Sequence, residues 1–230
     1  KNINEVKYYI QSNEKLNNHT SANGDSFTEY ISDPFNPVPY TAKFEDSKSF
    51  YNEVHLIEDQ RYVSTRPDVL TFESEALAED VTIAGPIIAN LFVSTTGTDA
   101  DFVVKVIDVY PDNGNDPDPN PAQVEMGGYE RLVRTEIFRG KFRNSYENPE
   151  PFEPHKVTEV KINLNDAFHT FKAGHKIMIQ VSSSYFPFFD VNPNTFCDIY
   201  NADKDKFIKA MIKIYHNKDY ASSVSFKVIK

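Results

Sequence analysis

Apolar and polar positions alternate along most of this chain. Between Lys156 and Leu164, the residues Val157, Val160, Ile162 and Leu164 form a nearly period-two apolar face among polar neighbours, as a strand buried on one side requires. Ile177, Ile179 and Val181 oppose Lys176, Met178 and Gln180 in the same way. Short runs rich in β-branched and aromatic residues predict strands at Val69–Phe72, Ile87–Ser94, Phe102–Tyr110, Leu132–Phe142, Val157–Leu164, Lys176–Ser183, Ala210–Tyr215 and Val224–Ile229. A first strand is expected at Val6–Ile10. Turn pairs such as Asp33-Pro34, Gly85-Pro86, Gly127-Gly128 and Ala173-Gly174 separate these runs, and the prolines of Pro111–Pro121 make that stretch an exposed loop. Helical periodicity is nearly absent, with Asn201–Phe207 the best short candidate. The pattern predicts an all-β sandwich, read as one domain over residues 1–230.

Composition narrows the function classes. With 40% hydrophobic and 13% aromatic residues in 230, the chain can build a sizeable core, and disorder is excluded. A net charge of -10 argues against a nucleic-acid backbone as partner, since that role needs dense Lys and Arg. No apolar run approaches the roughly 20 residues that span a bilayer. The single cysteine, Cys197, rules out a disulfide framework or a multi-thiolate zinc site. The first residues, Lys1-Asn2-Ile3, carry no initiator Met or signal segment, so the chain reads as processed or excised, and its compartment stays open.

The residues that could carry chemistry each have a plainer role. A serine hydrolase of the α/β type needs a Gly-x-Ser-x-Gly elbow, which is missing, and Ser182-Ser183-Ser184 follows a predicted strand with no helix after it. Backbone-bonded hydroxyls are the reading for that run. The six histidines show no i, i+4 pair; His169 and His175 are expected to flank a hairpin turn as structural side chains. Asp112, Asp116 and Asp118 offer oxygen ligands, but Pro117 and Pro119 stiffen the loop and its spacing misses the EF-hand template. Asp99 and Asp101 precede a strand as turn or salt-bridge residues, and Arg131, Arg134, Arg139 and Arg143 face water or tie sheets together. No catalytic residue, cofactor or metal is expected.

Several segments read in order carry a family resemblance. These are Asp33-Pro34-Phe35-Asn36-Pro37-Val38-Pro39, Asp59-Gln60-Arg61, Arg66-Pro67-Asp68-Val69-Leu70, Thr98-Asp99-Ala100-Asp101-Phe102 and Ile107-Asp108-Val109-Tyr110-Pro111-Asp112. Gly174-His175-Lys176-Ile177, Ser182-Ser183-Ser184-Tyr185-Phe186-Pro187 and Asn192-Pro193-Asn194-Thr195 continue the series. From about Tyr30 to the end the chain resembles the C-terminal non-catalytic domain of the cocaine esterase, X-prolyl dipeptidyl-peptidase and α-amino-acid ester hydrolase family. The resemblance implies a jelly-roll, galactose-binding-like sandwich that follows an α/β-hydrolase domain, which holds the catalytic triad and is absent here. It also implies that the partner is that catalytic domain of the same polypeptide, and it leaves self-association open. The chain departs from the family at Phe196, where relatives usually have Gly, and in the glycine-free stretch Tyr40–Glu58.

Two further expectations concern surface and function. Tyr185, Phe186, Phe188 and Phe189 crowd a proline-bounded loop, and with Tyr40 and Tyr51 they are expected to form or border a docking face. The alternative function is a carbohydrate-binding module, which would need an exposed aromatic platform built from Tyr and Phe, because the chain has no Trp.

Overall fold

The computed structural model describes residues 2–21, 26–42 and 53–229. Eleven strands run through it: β1 (Ile3–Gln11), β2 (Lys15–Asn17), β3 (Phe27–Ser32), β4 (Leu70–Glu73), β5 (Val81–Thr95), β6 (Asp101–Val109), β7 (Glu130–Arg139), β8 (Thr158–Phe171), β9 (Lys176–Ser182), β10 (Ala210–Tyr215) and β11 (Ser223–Ile229). They form two layers. Long β5 is the spine of the first, pairing antiparallel with β8 on one edge and with β10 and then β11 on the other, beyond which lie β3 and β1. The second layer runs β4-β9-β6-β7. A single parallel contact, Lys15 on β2 with Glu73 on β4, joins the two.

The alternation read from the sequence points into the space between the layers. Ile87, Ala89, Leu91 and Val93 of β5 meet Phe102, Val104 and Val106 of β6, with Ile177, Ile179 and Val181 of β9 and Val160, Ile162 and Leu164 of β8. Each Val, Leu, Ile or Phe among them contributes roughly 1.5 to 3 kcal/mol by leaving water. An all-β sandwich is therefore the architecture.

Three differences from the sequence reading have local causes. Gly85-Pro86, expected as a turn, lies inside β5; Gly85 adopts φ +125 and the β5–β8 register shifts between Pro86 and Ile88, so a bulge replaces the turn. Asn165, opposite it on β8, has φ 64, and both strands run on past the expected ends. The Asn201–Phe207 helix is reduced to two single 3-10 turns, Ile199–Asn201 and Lys204–Lys206, while a four-residue helix α1 (Arg61–Ser64) forms where none was expected. β8 and β9 sit in different layers, so His169 and His175 flank a crossover and not a hairpin.

β6 is unusual in that all nine of its residues are buried. Its inner side faces the sandwich. On its outer side Val103 lies against Tyr40 and Lys105 meets Gln60 and Tyr62 of the segment around α1, while Ile107 and Val109 pack with Met178 of β9 and Leu132 of β7.

Candidate docking face

The loop after β9 is fastened to the chain around Val38 and Tyr40 by backbone bonds. Phe186 N donates to Val38 O and Tyr40 N donates to Phe186 O, both at 2.9 Å, while Val38 N donates to Ser184 Oγ at 2.7 Å. This short parallel pairing drops the Tyr185 ring onto Val103 of β6 beside Tyr40. Tyr40, His55, Tyr185 and Phe188 then form one aromatic cluster, with ring centroids 5.2 to 6.2 Å apart.

The expected docking residues separate within this cluster. Tyr185 and Tyr40 are buried, at 1% and 4% exposure, so they belong to this chain's own packing and correct the expectation that they line a surface. Pairing with Val38 and Tyr40 turns them inward. Phe186 and Phe188 remain exposed, at 42% and 40%, and Phe189 is half-buried. Tyr51 lies outside the described residues. Beyond Phe186 an apolar groove of about 540 Å³ opens, bordered by Phe35, Val191, Ile199, Tyr200 and Phe207. Phe35 and Tyr200 are 68% and 79% exposed, so with Phe186 three exposed rings border this groove.

A buried charge set holds the far end of this loop. Asp101 accepts from Arg139 at 3.1 Å and from Asn192 Nδ2 at 2.7 Å. The Arg139 guanidinium lies 5.0 Å from the Phe189 ring centre and also donates to Asp190 O. Burial raises the Asp101 carboxyl to about 6 in spite of Arg139, and it raises Asp99 as well. Asn194, at φ 62, donates from Nδ2 to Ser32 O and Ile208 O and accepts from Ser32 Oγ, tying the loop to β3 and to the chain before β10. The loop is thus set on a rigid base.

Beneath the aromatic cluster lies a residue that sequence reasoning did not single out. Lys105 occupies a polar slot in the β6 alternation, which reads as a solvent-facing position. Its ammonium is instead buried, donates to Gln60 Oε1 at 2.7 Å, and sits 5.1 and 5.7 Å from the ring centres of Tyr185 and Tyr62. Burial pulls it down from 10.5 to about 7, against the pull of Glu130 and Glu58. Glu130, bonded to Ser64 Oγ, is pushed up to about 7, again by burial first. Alternation alone carries no signal for this, because the covering segment is distant in sequence.

The remaining sequence candidates are placed in structural roles. Ser183 Oγ bonds the buried Tyr30 hydroxyl at 2.7 Å, and Ser182 donates to Ser184 O. His169 Nε2 and His175 Nδ1 converge on the two oxygens of buried Asp108, at 2.9 and 2.7 Å, clasping the layers together. Arg66 and Asp68 form a two-bond ion pair, with Arg66 Nη2 also donating to Asn36 O. Asp116 Oδ1 accepts from Met126 N inside its own loop, and Arg134 donates to Leu164 O across the layers. Among the described residues the His216 ring bonds Thr28 Oγ1 and Ser26 Oγ donates only to the His216 backbone carbonyl, and no group of three His, Cys, Asp or Glu suited to a metal occurs.

Known proteins resemble the chain over nearly its whole length. Residues 2–225 match the family described as the X-Pro dipeptidyl-peptidase C-terminal non-catalytic domain. A cocaine esterase of Rhodococcus sp. (strain MB1 Bresler) is 32% identical over 212 residues, covering 92% of this chain and 34% of the esterase. The crystal structure of an aminopeptidase from a marine sediment archaeon, Thaumarchaeota archaeon, superimposes with a TM-score of 0.90 at 38% identity, over 99% of this chain and 37% of the aminopeptidase. An α-amino acid ester hydrolase gives 0.88 at 38% identity, over 98% and 36%. The chain therefore spans about a third of the length of these relatives.

Proposed function

The chain belongs to the X-Pro dipeptidyl-peptidase C-terminal non-catalytic domain family, and from that membership we propose that it is one accessory domain of a larger serine hydrolase acting on ester or peptide bonds. Its strands are wound as a jelly roll of the galactose-binding type. It packs on an α/β-hydrolase catalytic domain of the same polypeptide and helps wall the substrate pocket. The relatives named above act on esters and peptides, both substrates of acyl transfer, so one catalytic chemistry covers them.

The observation that carries the docking role is the set of exposed rings Phe35, Phe186 and Tyr200 round one groove, with Phe188 exposed in the same loop, whose base is pinned from beneath. Apolar outcrops of that kind are covered by a partner in finished proteins. Burying what remains exposed of Phe186 and Phe188 is worth roughly 1 kcal/mol each, so removing both weakens association by about tenfold or more. The test is to produce the α/β-hydrolase region of the same polypeptide separately and measure its association with this chain by sedimentation. The Phe186→Ser/Phe188→Ser variant should melt as the parent does yet bind at least about tenfold more weakly. Unchanged association, or a variant that unfolds, would return the loop to a purely internal role.

A further inference from the structure

β3 lies at an open edge of the first layer, pairing with β10 and with no other strand among the described residues. Met211, opposite Ile31, accepts from Thr96 N and gives its own amide to Thr96 Oγ1, both on the β5 side, and His216 N donates to Ser26 O just before Phe27. The ladder therefore runs through Thr28, Tyr30 and Ser32, and the alternation of an antiparallel pair turns the amides and carbonyls of Phe27, Glu29 and Ile31 away from β10. Those backbone groups meet no partner among the described residues. Such a row is a template for another strand, and proteins guard it with charged side chains, lysine above all, or with proline. β8, the opposite edge of this layer, carries Glu159, Lys161, Asn165 and Asp166. β3 has neither Lys nor Pro, a single Glu, and Ile31 50% exposed.

Two clefts follow this edge. One, of about 500 Å³, runs past Tyr30, Ile31 and Asp33; the other, of about 320 Å³, reaches Thr28, and Arg66 and Pro67 line both. Thr71 of β4 also lines the second, and its amide and carbonyl point to the side on which Glu73 N donates to Glu14 O at 2.8 Å. Backbone groups strung along a groove suit an extended chain better than a compact ligand. The charges of the first cleft are already paired, Arg66 with Asp68 at 2.7 Å, Lys209 with Asp33 at 2.8 Å and Lys213 with Glu29 at 3.6 Å, while Ile31, Met211 and Pro67 supply apolar lining. An uncharged segment fits it.

The first cleft also adjoins the aromatic groove. The turn from Asp33 to Asn36, closed by Asn36 N on Asp33 O at 3.0 Å, puts Asp33 and Asn36 on the cleft and Pro34 and Phe35 on the groove. A partner seated on Phe35 and Phe186 is thereby brought to the end of β3. We propose that the α/β-hydrolase region docking there lays an extended, uncharged segment along β3, adding a strand to the first layer through Phe27, Glu29 and Ile31, an inference that rests on the docking role proposed above.

Amide hydrogen exchange, read residue by residue, compares the chain alone with the full polypeptide that carries the α/β-hydrolase region. In the chain alone Phe27, Glu29 and Ile31 should exchange freely while Thr28, Tyr30 and Ser32 are protected. In the full polypeptide the first three should slow by about 100-fold, as should Asp190 and Val191 of the aromatic groove. Glu29→Pro removes an outward amide, which an edge strand tolerates, and leaves the bonds to β10 in place. The variant chain should melt as the parent does, and in the full polypeptide Phe27 and Ile31 should return to free exchange while Asp190 and Val191 stay slow. If Glu29→Pro does not fold, Ile31→Lys takes its place with the same expected loss, since lysine guards an edge against a further strand. Slowing at Asp190 and Val191 without slowing in β3 overturns this proposal and leaves the docking role standing; slowing at neither overturns both. Protection of β3 that survives the substitutions, or that grows with concentration in the chain alone, also overturns it, the latter by giving the edge to a second copy of the chain.

Discussion

Replacing Lys105 by methionine removes a charge from beneath the aromatic cluster while nearly keeping the side chain's volume. In the unfolded chain this lysine holds its proton to about 10.5; in the native state burial makes it release the proton near 7. At about 1.4 kcal/mol per pH unit, that difference puts a penalty on the order of 5 kcal/mol on the charged native form. Between those two values the native state binds fewer protons than the unfolded one, so stability climbs as pH rises through the window and the penalty is complete below it. Methionine titrates nowhere. It does strand Gln60 Oε1, at a cost of about 1 to 3 kcal/mol, and it gives up the contact with the Tyr62 and Tyr185 rings, worth about 2 kcal/mol when desolvated. Lys105→Met should thus match or exceed the parent in stability near pH 6 and fall behind it above about pH 9. Urea unfolding followed by far-UV circular dichroism, at steps from about pH 6 to about pH 10, reads this as a difference between the two proteins, in which titrating groups distant from Lys105 cancel while Glu130 and Glu58, which act on it, add their own change at the low end. A difference that stays flat across the window would refute the reasoning, for it would mean that Lys105 keeps its proton in the fold and its neighbours carry the compensating charge.

Other expectations follow from the same interior. Arg139→Met leaves Asp101 buried without its cation and should cost about 3 to 5 kcal/mol near pH 7.5. Because the Asp101 carboxyl already takes up a proton near 6, below which it needs no counter-charge, the loss should shrink markedly toward pH 5, as denaturation at the two pH values would show. Gly97→Ala sets a Cβ against the Asn194 carbonyl and should cost about 1 to 3 kcal/mol, with hydrogen exchange rising first in the loop 185–196; unchanged protection there would show that Asn194 is not what holds the loop. The chain by itself should not turn over p-nitrophenyl acetate or an X-Pro anilide, and turnover that vanishes in Ser183→Ala would contradict the internal role given to that hydroxyl.

Much of the fold is legible in the order of the residues. Period-two alternation names the inner faces of β5, β6, β8, β9, β10 and β11, because a strand's geometry alone sends successive side chains to opposite sides. The motifs running from Asp33 to Thr195 point to the family, whose matching domain is the non-catalytic C-terminal one. β2 and β3 escape that reading, since β2 is three residues long and β3 mixes Phe27 and Ile31 on its outer side with Tyr30 on its inner side. What alternation cannot supply is the cover on a strand's second face. Lys105 looks like an outward residue until the segment around α1 closes over it, and of the crowded aromatic loop, Tyr185 turns inward and Phe186 outward only because Val38 and Tyr40 pair with that backbone. Asp108 is similarly unremarkable in sequence, yet it draws in two histidines from β8 and from the start of β9. Phe27, Phe92 and Tyr215 are scattered over nearly two hundred positions and come side by side through strand register, with Tyr220 of the following turn against two of them. Local sequence sets which way each side chain leaves its own backbone, and long-range pairing decides what it meets there.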